Sequence, residues 1–321
     1  MKKKCDFDID LVYLWVDGSD PVWLAKKNAV CGAVISDAAT NGVGRYVDND
    51  ELKYSLRSIE CYAPWVRKIF IVTDSQIPKW LDTSNPRIKI VDHKEIIPGQ
   101  YLPCFNSSVI EHFICKIPGL SEHFLYANDD MFINRCVSPE DFFASDGFPV
   151  VRHNRRLFRK FTLWMREKVL RKGMSHYNRI VNNAAVLVKE KYGVFVGSKA
   201  HHNIDSYLKS DCCKVEEMFA DALIPTFINH VRRYNDIQRS LYHYVALVEH
   251  RCHLKYVDQK SSLRLHNHEP NHFERLEKYK PLFFCINDSQ YADDEDRRSA
   301  TRFLAGRFPE KSTFEILSNR P

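Results

Sequence analysis

What this 321-residue chain lacks narrows its identity first. No stretch approaches the roughly 18 uninterrupted apolar residues of a membrane-spanning helix, so none is predicted. The start, Met1 to Lys4, is basic, but Asp6, Asp8 and Asp10 interrupt the next residues and leave no secretory apolar segment. Ten cysteines are present, yet none stands in Cys-x-x-Cys spacing, and the adjacent Cys212 and Cys213 rarely bridge each other. The expectation is reduced thiols in a cytoplasmic protein. No Gly-x-Gly-x-x-Gly follows the first apolar run, which excludes a nicotinamide-binding cradle. Neither zinc-ligand spacing nor an EF-hand loop occurs, and there is no internal repeat or low-complexity tract. Acid is scarce in one segment: from Arg152 to Lys172 only Glu167 opposes Arg155, Arg156, Arg159, Lys160, Arg166, Lys168, Arg171 and Lys172. That run reads as a groove for an anionic polymer, as a helix on an anionic membrane surface, or as a solvated helix.

What is present is ordinary globular composition, 44% apolar and 27% charged, enough for a sizeable core. Apolar runs of strand length occur at 8–16, 68–73, 87–91, 121–127 and 283–286, with helical patterns between several of them. Asp48 to Glu51 reads as the cap of a helix reaching Tyr62, and 107–115, 176–190, 204–219, 235–250 and 295–303 also read as helices. Residues 25–47 read as a loop, 78–81 as a short helix and 251–280 as irregular. Strands alternating with helices predict an α/β fold built on a doubly wound, mostly parallel sheet.

Three of these strands end in acid: Asp17-Gly18-Ser19-Asp20, Asn128-Asp129-Asp130 and Asn287-Asp288. Open α/β sheets bind ligands beyond the carboxyl ends of their strands, so the three ends are expected to share a crevice. Adjacent carboxylates repel unless a cation compensates them, and Mg²⁺ shared with substrate phosphate suits an all-oxygen site. The plainer reading of each end is a turn or helix cap.

Four blocks then carry a family resemblance. They are Ile9 to Trp23 (IDLVYLWVDGSDPVW), Asp48 to Phe143, a fainter stretch around Ala200-His201 and His230 to Asp236, and Cys285 to Gln290 with Phe308 to Glu315. The chain resembles the Stealth family of sugar-phosphate transferases, which includes bacterial capsule polysaccharide phosphotransferases and an animal GlcNAc-1-phosphate transferase. Where that family often has proline after the histidine, this chain has His202-Asn203.

The resemblance implies a Rossmann-like sheet similar to that of the GT-A nucleotide-sugar transferases. Residues 1–144 and 281–321 would form the core, and 145–280 a mainly helical insertion for the acceptor. It implies transfer of a hexose 1-phosphate from a UDP-hexose donor to a hydroxyl of a glycan or polysaccharide acceptor, with release of UMP. Asp129, Asp130, Asn287 and Asp288 would hold Mg²⁺, with Mn²⁺ as the alternative. Arg232 would grip the transferring phosphate, and His201 or Asp17 would take the acceptor proton. Gly18, Asp20, Asn49, Glu51, Arg57 and Asn128 would position the nucleotide and sugar. The expected setting is the cytoplasmic face of a membrane, touched peripherally through the basic segment, with no nucleic acid involved. A metal-dependent glycosyltransferase releasing UDP is the alternative, and a non-enzymatic glycan-binding protein the third.

Overall fold

The computed structural model describes residues 6–31, 46–156, 161–162, 165, 169, 173–288 and 291–316. Most of the basic segment, including Arg159, Lys160, Arg166, Lys168, Arg171 and Lys172, lies outside the described residues, and so does the groove expected there.

Strand β1 (Ile9–Leu14) is followed by helix α1 (Pro21–Cys31), helix α2 (Glu51–Tyr62), strands β2 (Ile69–Thr73) and β3 (Ile88–Asp92), and the short helix α3 (His93–Ile96). Helix α4 (Ser107–Phe113) then leads to β4 (His123–Asn128), β5 (Met131–Ile133) and β6 (Val150–Asn154). Next come α5 (His176–Tyr192), β7 (Lys199–Ala200), β8 (Asp205–Leu208), α6 (Lys209–Met218), α7 (Ala220–Phe227) and α8 (Ser240–Val248). The chain closes with β9 (His253–Tyr256), β10 (Ser262–His266), α9 (His272–Tyr279), β11 (Phe283–Asn287) and α10 (Asp294–Arg307).

The central sheet runs β3-β2-β1-β4-β8, with the first four strands parallel and β8 antiparallel to β4. The α/β, mostly parallel expectation holds. Side chains alternate between its faces. Ile9, Leu11 and Tyr13 of β1 join Leu52, Leu56 and Ile59 of α2 in one core, while Val12 faces the core built on α4, α5 and α8. A second sheet, β10-β11-β5, packs its Phe132, Phe284 and Leu265 against α9 and α10, and β6 pairs with β7 and β9 in a third.

The departures from the sequence reading have local causes. Residues 21–31 are helical because Asp20 accepts the Val22 N–H and Pro21 takes the first helical position. The usual periodicity is hidden because Lys26 and Lys27 turn inward, to Asp74 and onto the Tyr46 ring, while Val22 points to water. Residues 205–208 form the edge strand β8 instead of opening a helix; all four are buried and pair with β4. Residues 251–280 contain two strands and a helix, and 78–81 form a turn.

Candidate active site

In the strand order β3-β2-β1-β4, the chain leaves β1 toward β2 and β3 and returns on the other side at β4. Ligands of open α/β sheets bind at such a reversal. Here the carboxyl ends of β1 and β4 open into a cavity of about 150 Å³ whose wall includes Trp15, Tyr46, Asn128, Asp129 and Arg232.

The β1 end is a clamp. Gly18 N–H donates to the Tyr46 carbonyl at 2.8 Å, and a Cβ at residue 18 would collide with that carbonyl oxygen. Only glycine allows this approach. Asp17 accepts from the Ser19 N–H and hydroxyl at 2.9 and 2.6 Å, and Asp20 accepts from Gln76 Nε2 at 3.0 Å while capping α1. Tyr46 in turn stacks under the Lys27 ammonium, and its hydroxyl accepts from Arg232 Nη1 at 3.3 Å. Arg232 Nη2 donates to the Ser107 hydroxyl at 3.0 Å. Among the described residues no carboxylate forms an ion pair with Arg232, so its charge faces the cavity held only by neutral oxygens.

The acids gather around Asp129, which lines the same cavity. The Asn128 side chain is oriented by the Tyr126 hydroxyl at 2.8 Å, and the next two residues turn sharply, with Asp130 N–H donating to Asp129 Oδ1 at 3.0 Å. Burial, then the charges of Glu51, Asp130 and Asp48, push the Asp129 carboxyl well above the ordinary range. Burial pushes Glu51 up to about 7 and Asp48 up to about 6, against hydrogen bonds from Asn49 and from the Asp50 N–H respectively. Glu51 accepts from the Asn49 N–H at 2.6 Å and from Asn49 Nδ2 at 2.8 Å. Asp50 beside them sits at φ 66°, a left-handed backbone that side-chain-bearing residues rarely hold, so strain gathers where the acids do.

Asp130 marks where the β11 end meets this group. Its Oδ2 accepts from Asn287 Nδ2 at 2.5 Å and lies 3.2 Å from His202 Nε2, while Oδ1 is buried without a partner among the described residues. An orphaned carboxylate oxygen next to a carboxyl destabilised as an anion is what an absent cation would satisfy. No group of three or more His, Cys, Asp or Glu side chains that could hold a metal occurs among the described residues. Two carboxylates, completed by substrate phosphate and water, fit an oxygen-seeking divalent cation and do not form a dedicated protein cage.

Several of the expected site residues have other partners in the structure. Asp288 is turned elsewhere: its Oδ1 accepts from Asn267 at 3.0 Å and its Oδ2 from Arg297 at 2.9 Å. Asn287 contributes as a hydrogen-bond donor to Asp130, its own oxygen accepting from Arg264 Nε at 2.5 Å. Arg57 is committed to Glu315 through two 2.7 Å contacts and to the Phe308 carbonyl, and so is not brought to the cavity. The histidine touching the carboxylates is His202. His201 stands outside the cavity lining, and burial pushes its ring down to about 4, so it is neutral at pH 7. Asn203 Nδ2 is 3.3 Å from His201 Nδ1, while Asn203 Oδ1 is buried without a partner among the described residues. Turning that amide over lets its oxygen accept Nδ1–H and leaves a lone pair on Nε2.

Some functional neighbours escaped the sequence reading. Tyr46 gave no signal; Asp48 read only as a helix cap; and His93, on the cavity wall with Nδ1 buried and unpartnered among the described residues, was marked only by its place after β3.

Residues 7–33 match conserved region 1 of the Stealth proteins and residues 45–151 match conserved region 2. The capsular polysaccharide phosphotransferase WcwK of Streptococcus pneumoniae is 32% identical over 96% of this chain and 99% of its own length. This chain belongs to the Stealth family. Region 1 contains Asp17, Gly18 and Asp20, and region 2 includes Tyr46 and Asp130 and ends within β6. Other Stealth relatives are longer. An exopolysaccharide phosphotransferase of Streptomyces coelicolor is 36% identical over 96% of this chain and 52% of its own length. That of Nocardia farcinica is 36% identical over 97% of this chain and 62% of its length. The chain thus spans about half of the first. Among solved structures, the galactosyltransferase LgtC aligns over 95% of this chain and 96% of its own with a TM-score of 0.44 and 9% identity, too loose a likeness to carry an argument.

Proposed function

We propose that this chain moves a hexose 1-phosphate from a UDP-hexose to a glycan hydroxyl. The observation that carries the reading is that one cavity at the sheet reversal is lined by both Arg232 and Asp129, the latter adjoining Asp130, in a chain whose relatives are named polysaccharide phosphotransferases. The acceptor oxygen forms a bond to the β-phosphorus. The bond from that phosphorus to the bridging oxygen breaks, and UMP leaves with the electron pair. The sugar's own C–O bond is untouched. Such transfers are mostly positioning and charge stabilisation.

Each group has a task in this scheme. Arg232 presents a permanently charged fork to the transferring phosphate, pre-aimed by Tyr46 and Ser107. Asp129 and Asp130 would hold Mg²⁺, which supplies charge neutralisation to the diphosphate when bound. Asn287 and His202 fix the Asp130 carboxylate. Asn49 fixes Glu51, and the Gly18 clamp keeps Tyr46 in place. His201, neutral and oriented by Asn203, takes the acceptor proton; Asp17, tied to Ser19, is the competing base. Residues 145–280 are assigned to the acceptor side. The setting proposed is the cytoplasm, at the membrane face where such glycans are built. Among the described residues no helix is long and apolar enough to cross a membrane.

Incubation with a panel of UDP-hexoses, an oligosaccharide acceptor and Mg²⁺, followed by separation of nucleotides, tests the proposal. UMP is the expected product. UDP would mean attack at carbon and an ordinary glycosyltransferase.

A further inference from the structure

Strand β4, which leads to Asp129, touches a buried ion cluster whose groups the proposed reaction does not use. Arg239, just ahead of α8, donates through Nη1 to Glu111 Oε1 on α4 at 3.0 Å and through Nη2 to Asp205 Oδ2 on β8 at 2.8 Å. All three residues are buried, and the guanidinium lies 4.3 Å from the centroid of the Tyr126 ring on β4. Buried ion pairs of this kind add little stability over an apolar core of the same volume. This one fixes an acceptor beside a hydroxyl that leads to the cavity. Tyr126 Oη stands 3.1 Å from Glu111 Oε1 and 2.8 Å from Asn128 Oδ1, and Asn128 lines the cavity with Asp129.

The Tyr126 hydroxyl has one proton for these two contacts and can serve only one of them. Burial, then the Glu111 charge, push that hydroxyl well above its ordinary range, so the proton stays on it. Glu111, ion-paired with Arg239, can only accept, and its Oε2 is already buried without a partner among the described residues. Asn128 can do either, because a half-turn of its amide exchanges the oxygen for the NH₂ group. A single arrangement satisfies all three groups: Tyr126 donates to Glu111, and Asn128 Nδ2 donates to the Tyr126 oxygen. The Asn128 carbonyl oxygen is then turned away from Tyr126, toward the cavity that the residue lines.

We propose that Glu111 and Tyr126 are positioning residues that hold the Asn128 carbonyl toward the cavity, as the acceptor for one hydroxyl of the nucleotide-sugar donor. The inference rests on the UDP-hexose reading. A fixed acceptor selects for a ligand that brings a hydrogen-bond donor, because a ligand lacking that group leaves the oxygen unpaired. Arg239 acts one step further back, by holding Glu111 where it claims the tyrosine proton.

A double-mutant cycle of Asn128→Asp and Tyr126→Phe, read by urea unfolding, tests the orientation without any ligand. In the proposed arrangement the new carboxylate meets the lone pairs of the tyrosine oxygen. Asn128→Asp should therefore destabilise the wild type more than it destabilises Tyr126→Phe. Repulsion from Asp129 and Asp130 is common to both backgrounds and cancels. The opposite sign would mean that Tyr126 donates to Asn128, and overturns the proposal. Calorimetric Kd values for UDP-hexose and its monodeoxy analogues then test the ligand role. In the wild type, loss of one particular hydroxyl should weaken binding about fivefold, the usual net strength of one hydrogen bond. In Tyr126→Phe the same analogue should lose clearly less, and Asn128→Ala provides the same comparison if Tyr126→Phe does not fold. Analogues that lose equally in wild type and variant overturn the ligand role. So does a variant that changes only the Mg²⁺ requirement, since the carbonyl would then serve the cation. Binding needs no turnover, so release of UDP in place of UMP would refute the phosphotransferase reading and leave this inference standing.

Discussion

Asp129, Glu51 and Asp48 are held together by the fold although each raises the others' cost of ionisation. Their folded-state carboxyls bind protons more tightly than unfolded ones. The stability they contribute is therefore fully present below about pH 4 and is lost as pH rises, through about 6 for Asp48 and about 7 for Glu51. His93 and His201, both pushed down to about 4 by burial, act oppositely and cost stability as pH falls below about 6.5. Comparison with Glu51→Gln cancels the histidines. Without divalent cation, the melting temperature of the variant should gain on that of the wild type from pH 5 to pH 8, and Mg²⁺ should shrink the gap. A gap independent of pH would mean that Glu51 is not proton-linked. His201→Ala should lower kcat by about 10² to 10⁴ with little change in donor KM if Nε2 accepts the proton. Near-normal turnover would pass that role to Asp17.

At the scale of elements, the β1 end and the loop at Tyr46 act as one unit. Gly18→Ala forces a Cβ onto the Tyr46 carbonyl, which should cost about 1–3 kcal/mol and loosen the hydroxyl that aims Arg232. Turnover should fall more than overall stability warrants, checked by kinetics well below the melting temperature. Arg57 joins α2 to the segment after α10. Its partner Glu315 is 5% exposed, so Arg57→Met strands a buried carboxylate. A loss of about 3 kcal/mol is expected, at the low end for a broken buried pair because Ser312 still donates to Glu315. Donor affinity should be unchanged in urea-free buffer; a weakened donor affinity would restore Arg57 to the site.

For the molecule as a whole, the sequence was legible where side-chain period and chain chemistry coincide. The buried strands read as apolar runs, and the acidic ends of β1 and β4 lie at one edge of the central sheet, whereas the expected third, at β11, belongs to a second sheet. The strand β8 was obscured because Asp205 and Ser206 are polar yet buried, Asp205 against Arg239 across the core at 2.8 Å. Helix α1 was obscured by lysines that face inward. The partners of the expected site residues were less legible than the fold. Asp288 and Arg57 stand in motifs whose spacing does not show that the one meets Arg297 and Asn267 and the other Glu315. Tyr46 meets Gly18, Lys27 and Arg232 only through the fold, contacts invisible to local pattern. The central claim concerns which atom is attacked, and ³¹P NMR of the glycan product tests it most directly. A phosphodiester resonance that couples to the donor hexose's anomeric proton, with anomeric configuration retained, is the predicted result. A product glycan without phosphorus would contradict the account.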